Sequence, residues 1–435
     1  MARTNQRPVP VFTHEGVKAN HINPELQLRR SVMACLLWEN NFYEDGESIA
    51  DRIAKTIPLV KPEIVSSIAI EAREKMKLRH MPLFIVREMA RLKSHRHLVS
   101  TTMERIIQRA DELSEFVALY WKDKRQPLSA QVKKGLALAF GNFNEYQLAK
   151  YNRDGAVKLR DVLFLSHAKP KDDEQAEAWK RLIAGQLVIP DTWEVALSSG
   201  QDKKATWERL IAENKLGGLA FLRNLRNMKE AGVSETIIFD GLARIKTERI
   251  LPFRFISAAK YAPQWEAQIE PVMLKCLEGK AKLKGKTALV VDGSGSMFGT
   301  PISARSEIDR FEAAAALAVL VREICENSVM VCFSVNAHLI PSRRGFALRD
   351  ALYSKAERRG TNTQTGIMKA AQEGYDRIIV LTDEQSHQAV FNPLVGTKAY
   401  MVNVACNQNG IGYGAFNHID GWSESVLDYI SAVEG

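Results

Sequence analysis

The sequence predicts a multi-domain protein in which an α-helical module precedes a doubly wound α/β domain. From Pro24 to about Lys280 one helical pattern follows another through short links, with almost no strand signal. At 280–286 the composition shifts to a short basic segment, KAKLKGK, and beyond it apolar strands alternate with helices. Such alternation is typical of a mainly parallel sheet covered by helices.

The helical part is predicted to be a stack of paired antiparallel helices, an α-solenoid, because its helices are consecutive and their links are short. An irregular helical bundle is the alternative, since periodicity does not separate the two. We place an N-terminal arm at 1–22, the helical module at 23–280 and a basic linker at 281–286. The predicted helices of the module are Pro24–Trp38, Gly46–Ile57, Pro62–Met76, Met81–Leu92, Thr101–Lys122, Ser129–Phe140, Tyr146–Tyr151, Val157–Ser166, Asp172–Ala184, Asp191–Ser198, Lys203–Asn214, Leu216–Ala231, Glu235–Thr247, Phe253–Tyr261 and Trp265–Leu277.

The α/β domain is predicted to span 287–435. Apolar, β-branched runs indicate buried parallel strands, and amphipathic segments between them indicate helices. The predicted strands are Thr287–Val291, Val329–Val335, Arg377–Leu381 and Lys398–Ala405. The predicted helices are Ser306–Glu326, Phe346–Glu357, Gln364–Gly374 and Ser423–Val433.

Composition favours a globular protein with polyanionic partners. Hydrophobic residues make up 46% of the chain, and no apolar run is long enough for a membrane span. The net charge of +9 favours association with nucleic acid, although charge alone does not establish it. The amino terminus lacks a secretory pattern and the five cysteines are scattered, so we expect a cytoplasmic protein without a membrane partner.

The most distinctive chemical motif is the run TALVVDGSGSM at 287–297. It reads as a buried strand that ends at Asp292 and opens into a tight glycine turn carrying Ser294 and Ser296. Carboxylate and hydroxyl oxygens at the carboxyl end of a central strand suggest a site for a hard divalent cation, Mg²⁺ above all. The alternative is a Gly/Ser turn whose hydroxyls only cap a helix.

Two later segments complete a pattern that resembles the metal-ion-dependent adhesion site of von Willebrand factor A domains. Thr361 lies in the hydroxyl-rich loop GTNTQTG, and Asp383 ends the apolar strand RIIVLTD. The resemblance implies that Ser294, Ser296 and Thr361 ligate the metal directly, while Asp292 and Asp383 act largely through water.

The helical module carries one dense polar constellation, between residues 133 and 170. Lysine and arginine neutralise phosphates, and tyrosine and histidine offer faces on which bases stack. A solvated helix face is the alternative for such charges. The residues that we select for RNA contact are Lys133, Lys134, Lys150, Arg153, Lys158, Arg160, His167 and Lys169.

Several segments resemble the TROVE module of the Ro autoantigen family, in its bacterial or phage form. They are LRRSVMACLL, HMPLFIVREMARL, KKGLALAFGNFNEYQLAKY, KLRDVLFLSHAKP, KLGGLAFLRNLRNM and ILPFRFISAAKYAP. The resemblance implies a ring of HEAT-like helical repeats closed by a von Willebrand factor A-like domain. Carried over by position, Lys150, Arg153 and His167 would contact RNA; the other five residues are selected from charge and proximity alone.

The family resemblance implies a non-catalytic, monomeric ribonucleoprotein that acts in RNA quality control as a scaffold or chaperone. Its expected partners are a small noncoding Y-like RNA on the outer basic surface of the ring and single-stranded 3′ ends of misfolded RNA in the hole. An exoribonuclease bridged by RNA is a further candidate partner.

Two other classes of function compete with RNA binding. An enzyme is disfavoured because the chain has neither a Gly-Lys-Ser/Thr phosphate loop nor a Gly-x-Ser-x-Gly elbow. A metal-dependent protein-interaction adaptor, in which the α/β domain docks an acidic partner, is the main alternative.

Overall fold

The computed structural model describes residues 11–12, 18–19, 23–33, 46–198, 200, 202–247, 250, 252–301, 308–386, 388, 390–405, 415–420, 426–427, 430 and 434. The chain divides into two compact units. The first, here called the helical unit, comprises Gln27–Val32 and Ala50–Leu216; the second, the mixed unit, comprises Met1–Leu26, Met33–Ile49 and Gly217–Gly435. Among the described residues, no helix is both long and apolar enough to cross a membrane.

The helical unit follows the predicted order of helices closely. Polar side chains begin several of them: Ser129, Asn144, Asp172 and Asp202 each accept a hydrogen bond from a backbone N–H of the first turn. The helices are α1 Pro24–Met33, α2 Gly46–Thr56, α3 Pro62–Glu74, α4 His80–Arg91, α5 Val99–Ile106, α6 Ala110–Tyr120, α7 Ala130–Phe140, α8 Glu145–Tyr151, α9 Leu159–Ser166, α10 Asp173–Ala184, α11 Trp193–Ser198 and α12 Lys203–Ala212. The predicted extension of α1 through 34–38 lies outside the described residues.

The single helix predicted at Thr101–Lys122 is wrong, because α5 ends at Ile106 and α6 begins at Ala110. The break is held by one side chain from a distant position and one from the start of α6. Arg73 donates to the carbonyl oxygen of Ile106 at 2.9 Å. Glu112 accepts the backbone N–H groups of Gln108 and Arg109 at 2.9 and 3.0 Å. These bonds satisfy groups that a helix end otherwise leaves unpaired.

The mixed unit contains five further helices of the predicted module. They are α13 Gly218–Arg223, α14 Leu225–Glu230, α15 Glu235–Arg244, α16 Phe253–Tyr261 and α17 Glu266–Lys275. The continuous helix predicted at Leu216–Ala231 is wrong. It is interrupted at the buried Asn224, whose side-chain amide donates to the carbonyl oxygen of Ala220 and whose side-chain oxygen accepts from Asn227. A side chain that binds nearby backbone competes with helix continuation.

A six-stranded sheet forms the centre of the mixed unit, with strand order β5-β4-β3-β6-β7-β8. The strands are β3 Leu283–Asp292, β4 Cys325–Phe333, β5 Ala337–Ile340, β6 Arg377–Thr382, β7 Lys398–Asn403 and β8 Asn417–Asp420. All neighbours are parallel except β4 and β5. β3 begins at Leu283, inside the segment predicted as a linker. The short strands β5 and β8, and a two-residue pairing of β1 Val11–Phe12 with β2 Lys18–Ala19 in the predicted arm, were not predicted.

Helices α18 Arg310–Ile324, α19 Gly345–Lys355 and α20 Thr363–Glu373 complete the α/β domain. Ala288 and Val290 of β3 share a buried cluster with Ile367 and Ala370 of α20, and α18 packs against the same strand. Burial of β3 over its last six residues explains its continuous apolar run. Most of the helix predicted at Ser423–Val433 lies outside the described residues.

The last helices of the predicted module pack against the α/β domain within the mixed unit. Lys260 of α16 pairs with Glu312 of α18 at 2.7 Å. Glu266 of α17 pairs with Arg349 of α19 at 2.7 Å. The compact division of the chain therefore falls between Leu216 and Gly217, whereas the predicted domains divide at 280.

Candidate functional site

The DGSGS turn follows β3, at the carboxyl edge of the sheet and between β4 and β6. Its Asp292 side chain is fully buried and accepts two hydrogen bonds. The backbone N–H of Ser294 donates to Oδ1 at 2.9 Å, and the hydroxyl of Thr382 donates to Oδ2 at 2.6 Å. The hydroxyls of Ser294 and Ser296 lie 3.3 Å apart. One carboxylate and two hydroxyls therefore converge within the turn.

The turn needs glycine because other backbone and side chains approach it closely. A Cβ atom on Gly293 would lie 2.9 Å from Sγ of Cys332, and one on Gly295 would lie 3.2 Å from the carbonyl oxygen of Arg358. This close packing lets two backbone hydrogen bonds join the turn to the loop before α20. Arg358 N–H donates to Gly293 at 2.9 Å, and Gly295 N–H donates to Arg359 at 2.7 Å. The buried Thr361 is thus held in the loop that borders the turn.

Asp383 is fully buried where β6 ends, and an arginine contacts it. Nη1 of Arg310 lies 3.2 Å from Oδ2 of Asp383 and 3.4 Å from the carbonyl oxygen of Ser296. Arg310 is the first residue of α18 and is itself buried. Sequence reasoning missed this residue. The sequence feature that could have identified Arg310 is its position as a cation directly before the largely apolar run FEAAAALAVLV.

The two buried carboxylates at this edge of the sheet, Asp292 and Asp383, favour the binding of a cation between the loops that carry them. Burial, and after it the neighbouring charge of Asp383, raises the pKa of Asp292 to about 7. No group of three or more His, Cys, Asp or Glu side chains placed to hold a metal occurs in the described part of the chain. The donors here are instead two carboxylates and the hydroxyls of Ser294, Ser296 and Thr361. Such hard oxygen donors fit Mg²⁺.

The predicted RNA contacts all lie on α7–α10 of the helical unit and the links between them. Each of them is at least partly exposed. Lys133 and Lys134 are on α7, Lys150 is on α8, and Arg153 follows α8. Lys158 and Arg160 are at the start of α9, and His167 and Lys169 follow its end.

Lys150 and Arg153 line a cleft of about 330 Å³ between the end of α8 and residues 185–195. The exposed side chains of Val188 and Ile189 form part of its wall. Beside it, the Tyr151 ring lies 5.7 Å from Nζ of Lys150. A flat ring next to cations is the combination that single-stranded nucleic acid uses.

His167 and Lys169 line a separate cleft of about 490 Å³, formed by the end of α9 and one side of α10. We call it the α9–α10 cleft. His167 has a left-handed backbone, with φ of 54°, and ends α9. Phe164 and Trp179 also line this cleft. Trp179 belongs to the core, with 4% of its surface exposed. Sequence reasoning missed Phe164.

The other predicted contacts line neither of these two clefts. Lys158 pairs with Asp154 at 2.8 Å, and Arg160 lies 3.9 Å from Asp161. Lys133 and Lys134 lie on α7. The structure therefore brings the eight candidates onto one group of helices but divides them among separate places.

Parts of the chain are similar in sequence to a known protein family and to two known proteins. Residues 172–282 match the family model of the TROVE domain. Of the segments quoted above, KLGGLAFLRNLRNM and ILPFRFISAAKYAP fall in that range. Over 100 residues, 21% of this chain, the sequence is 37% identical to telomerase protein component 1 of Mus musculus and 36% identical to that of Rattus norvegicus. That match spans 4% of the length of either relative.

A solved structure shares the fold of nearly the whole chain. The crystal structure of the Deinococcus radiodurans Ro (RSR) protein matches with a TM-score of 0.62 and 17% sequence identity. The match covers 92% of this chain and 96% of that one. At this identity the likeness concerns the fold alone.

Proposed function

Because the chain belongs to the TROVE-domain family, we propose that it is an RNA-binding protein of the Ro type, acting as a non-catalytic scaffold or chaperone in a ribonucleoprotein. The observation that carries this proposal is the group of basic side chains between α7 and α10. Lys150 and Arg153 line one cleft with exposed apolar walls, and Lys169 lines another that contains the exposed ring of Phe164. A chain with 60 Lys and Arg against 51 Asp and Glu adds a long-range attraction for polyanions. The TROVE-domain match, together with the fold shared with the Deinococcus Ro protein, bears out the family predicted from the sequence.

The finer parts of the proposal follow the Ro resemblance. The bound RNA would be a small noncoding Y-like RNA on the outer basic surface of a HEAT-like ring. The hole of that ring would take single-stranded 3′ ends of misfolded RNA, and a von Willebrand factor A-like domain would close the ring. The fold shared with the Deinococcus Ro protein supports the architecture in this proposal, and the RNA partners follow from the family resemblance alone. Sequencing the RNA that co-purifies with the protein would identify the partner.

Replacing Lys150 and His167 together with alanine should weaken RNA binding about tenfold or more, because each cleft loses one contact to the RNA. The slope of log affinity against log salt concentration should also fall by about one. A gel shift with a small stem-loop RNA at several salt concentrations measures both. The melting temperature should stay nearly unchanged, since both side chains are on the surface.

A matched control is the double variant Lys93→Ala/His97→Ala, which removes the same residue types from an exposed stretch elsewhere in the helical unit. It should bind RNA like the wild type. If the protein retains no RNA at low salt and both double variants behave alike, RNA binding is refuted and the adaptor function takes its place.

We also propose that the DGSGS turn binds Mg²⁺. Ser294, Ser296 and Thr361 would hold the ion directly, with Asp292 and Asp383 acting largely through water. When bound, the ion would supply an open coordination position for a carboxylate from a partner, which is the basis of the adaptor alternative.

Asp292→Ala should abolish Mg²⁺ binding, because it removes the carboxylate on which the turn is organised. Isothermal titration calorimetry of the full chain with MgCl₂ measures this. Asp350→Ala is the control, since Asp350 is an exposed carboxylate on α19 of the same domain. Equal Mg²⁺ binding by wild type and Asp292→Ala would refute the metal site.

A further inference from the structure

The α9–α10 cleft has the size and lining of a binding site. Its volume of about 490 Å³ lies within the range of about 300–1,000 Å³ that is usual for small-ligand sites. One wall comes from α9 and the link after it, and the other from α10. The larger polar and apolar side chains that line it include Phe164, His167, Lys169, Trp179, Lys180 and Ile183.

The walls of the cleft are apolar and partly exposed. Phe164 is 58% exposed and Ile183 is 39% exposed. Phe164 lies on the last turn of α9 and His167 directly follows the helix, and both line the cleft. The exposed ring of Phe164 therefore offers a flat surface to a ligand.

Trp179 makes the floor of the cleft rigid. Its ring meets that of Phe140 edge to face, with centroids 5.2 Å apart and planes at 84°. This arrangement is a favourable one for aromatic pairs. The indole N–H is buried and has no hydrogen-bond partner among the described residues. The floor is thus fixed before any ligand arrives.

The charge around the cleft is positive. No carboxylate lines it, whereas Lys169 and Lys180 do. Lys180 pairs with Glu177 at 2.6 Å, but both side chains are more than half exposed, and such surface pairs contribute little. A phosphate can therefore compete for Lys180 at small cost. The cleft combines apolar flat walls with cations at its rim.

We propose that the α9–α10 cleft holds one unstacked base of a bound RNA strand, with Phe164 stacking on the base and Lys169 and Lys180 contacting the adjoining phosphates. This inference rests on the proposed RNA-binding function. A nucleic acid strand is the ligand that supplies a flat aromatic face and a neighbouring negative charge at once. An aromatic peptide with acidic flanks is the competing occupant.

The test is the affinity of the full chain for a fluorescein-labelled ten-nucleotide oligouridylate, measured by fluorescence anisotropy. Phe164→Ala should weaken binding about tenfold, as expected for the loss of one base stack, and Phe164→Tyr should restore it. Leu138→Ala is the matched control: Leu138 is an exposed apolar residue on α7 that does not line the cleft. It should bind like the wild type.

A second probe separates stacking from charge. An abasic strand of the same length keeps every phosphate, so wild type and Phe164→Ala should bind it equally. If Phe164→Ala binds oligouridylate like the wild type while Lys150→Ala/His167→Ala is impaired, the base site is refuted and RNA binding stands. If the wild type binds neither strand, both proposals fall.

Discussion

Replacing Arg310 with glutamine should tighten Mg²⁺ binding about tenfold, equivalent to about 1.4 kcal/mol, and destabilise the metal-free protein. The guanidinium is 3.2 Å from the Asp383 carboxylate, and the two side chains are 6% and 0% exposed. A metal ion at the DGSGS turn would need the negative charge that Arg310 now balances. Without Arg310, two buried carboxylates would face each other with one cation fewer.

The stability effect follows from the same geometry. Removing one partner of a buried ion pair typically costs about 3–5 kcal/mol. We therefore expect Arg310→Gln to unfold at a lower urea concentration in EDTA, and Mg²⁺ to restore more stability to this variant than to the wild type. Calorimetry and urea unfolding, each with and without Mg²⁺, measure the two effects.

Two control variants distinguish competition between Arg310 and Mg²⁺ from a general loss of stability. Arg310→Lys keeps a positive charge and should change Mg²⁺ affinity less. Arg349→Gln breaks the pair with Glu266 in the same unit and should leave Mg²⁺ affinity unchanged. Weaker Mg²⁺ binding by Arg310→Gln would mean that the arginine supports the metal rather than competes with it.

Replacing Arg73 with methionine should destabilise the helical unit by about 3–5 kcal/mol near neutral pH. Arg73 and Glu112 form a buried pair at 2.7 Å, with side chains 9% and 0% exposed. Arg73 also holds the end of α5 through Ile106. Methionine fills a similar space but leaves Glu112 with less positive charge nearby.

The stability lost in Arg73→Met should depend on pH. Burial raises the pKa of Glu112 above its ordinary value of 4.5, and Arg73 opposes that rise. A carboxyl whose pKa is raised by folding lowers stability as pH rises from that ordinary value through the folded-state pKa. Without Arg73 the folded-state pKa is higher still, so the penalty of the variant should grow with pH in that window.

Urea unfolding at pH 5 and pH 7.5, followed by circular dichroism, measures this dependence. Arg105→Met is the control, because Arg105 binds Glu74 with two-pronged geometry at an exposed position. Its cost should be at most about 1 kcal/mol and should vary little between the two pH values. An equal cost for both variants would contradict the role assigned to the buried pair.

The helical pattern was predictable where the signals are local. The helix at Phe253–Tyr261 and the start of α10 after Asp172 were read from neighbouring residues, and they are confirmed. The two helices predicted too long fail where a distant or buried side chain interrupts them. Glu112 caps α6 from within the same window of sequence, but Arg73 is 33 residues from Ile106, so no short window contains both side chains that hold that break.

The short edge strands escaped prediction for a related reason. β8 is four residues long and, among the residues that the structure describes, pairs with β7 alone. A strand of this length has too few residues to show the alternation of apolar and polar side chains that identifies a strand in a sequence. Its place is decided by the unpaired edge of a neighbouring strand, which exists only after the sheet has formed.

The sequence by itself determined the family resemblance, the order of most helices and of the four longer strands β3, β4, β6 and β7, and the oxygen-rich turn at Asp292. Each of these depends on residues close together along the chain. The tertiary structure decided what surrounds them. Arg310 reaches Asp383 across 73 positions, and α9 and α10 together make a cleft that neither has alone. Charge balance and cleft shape are properties of side chains brought together by folding, so only the folded chain reveals them.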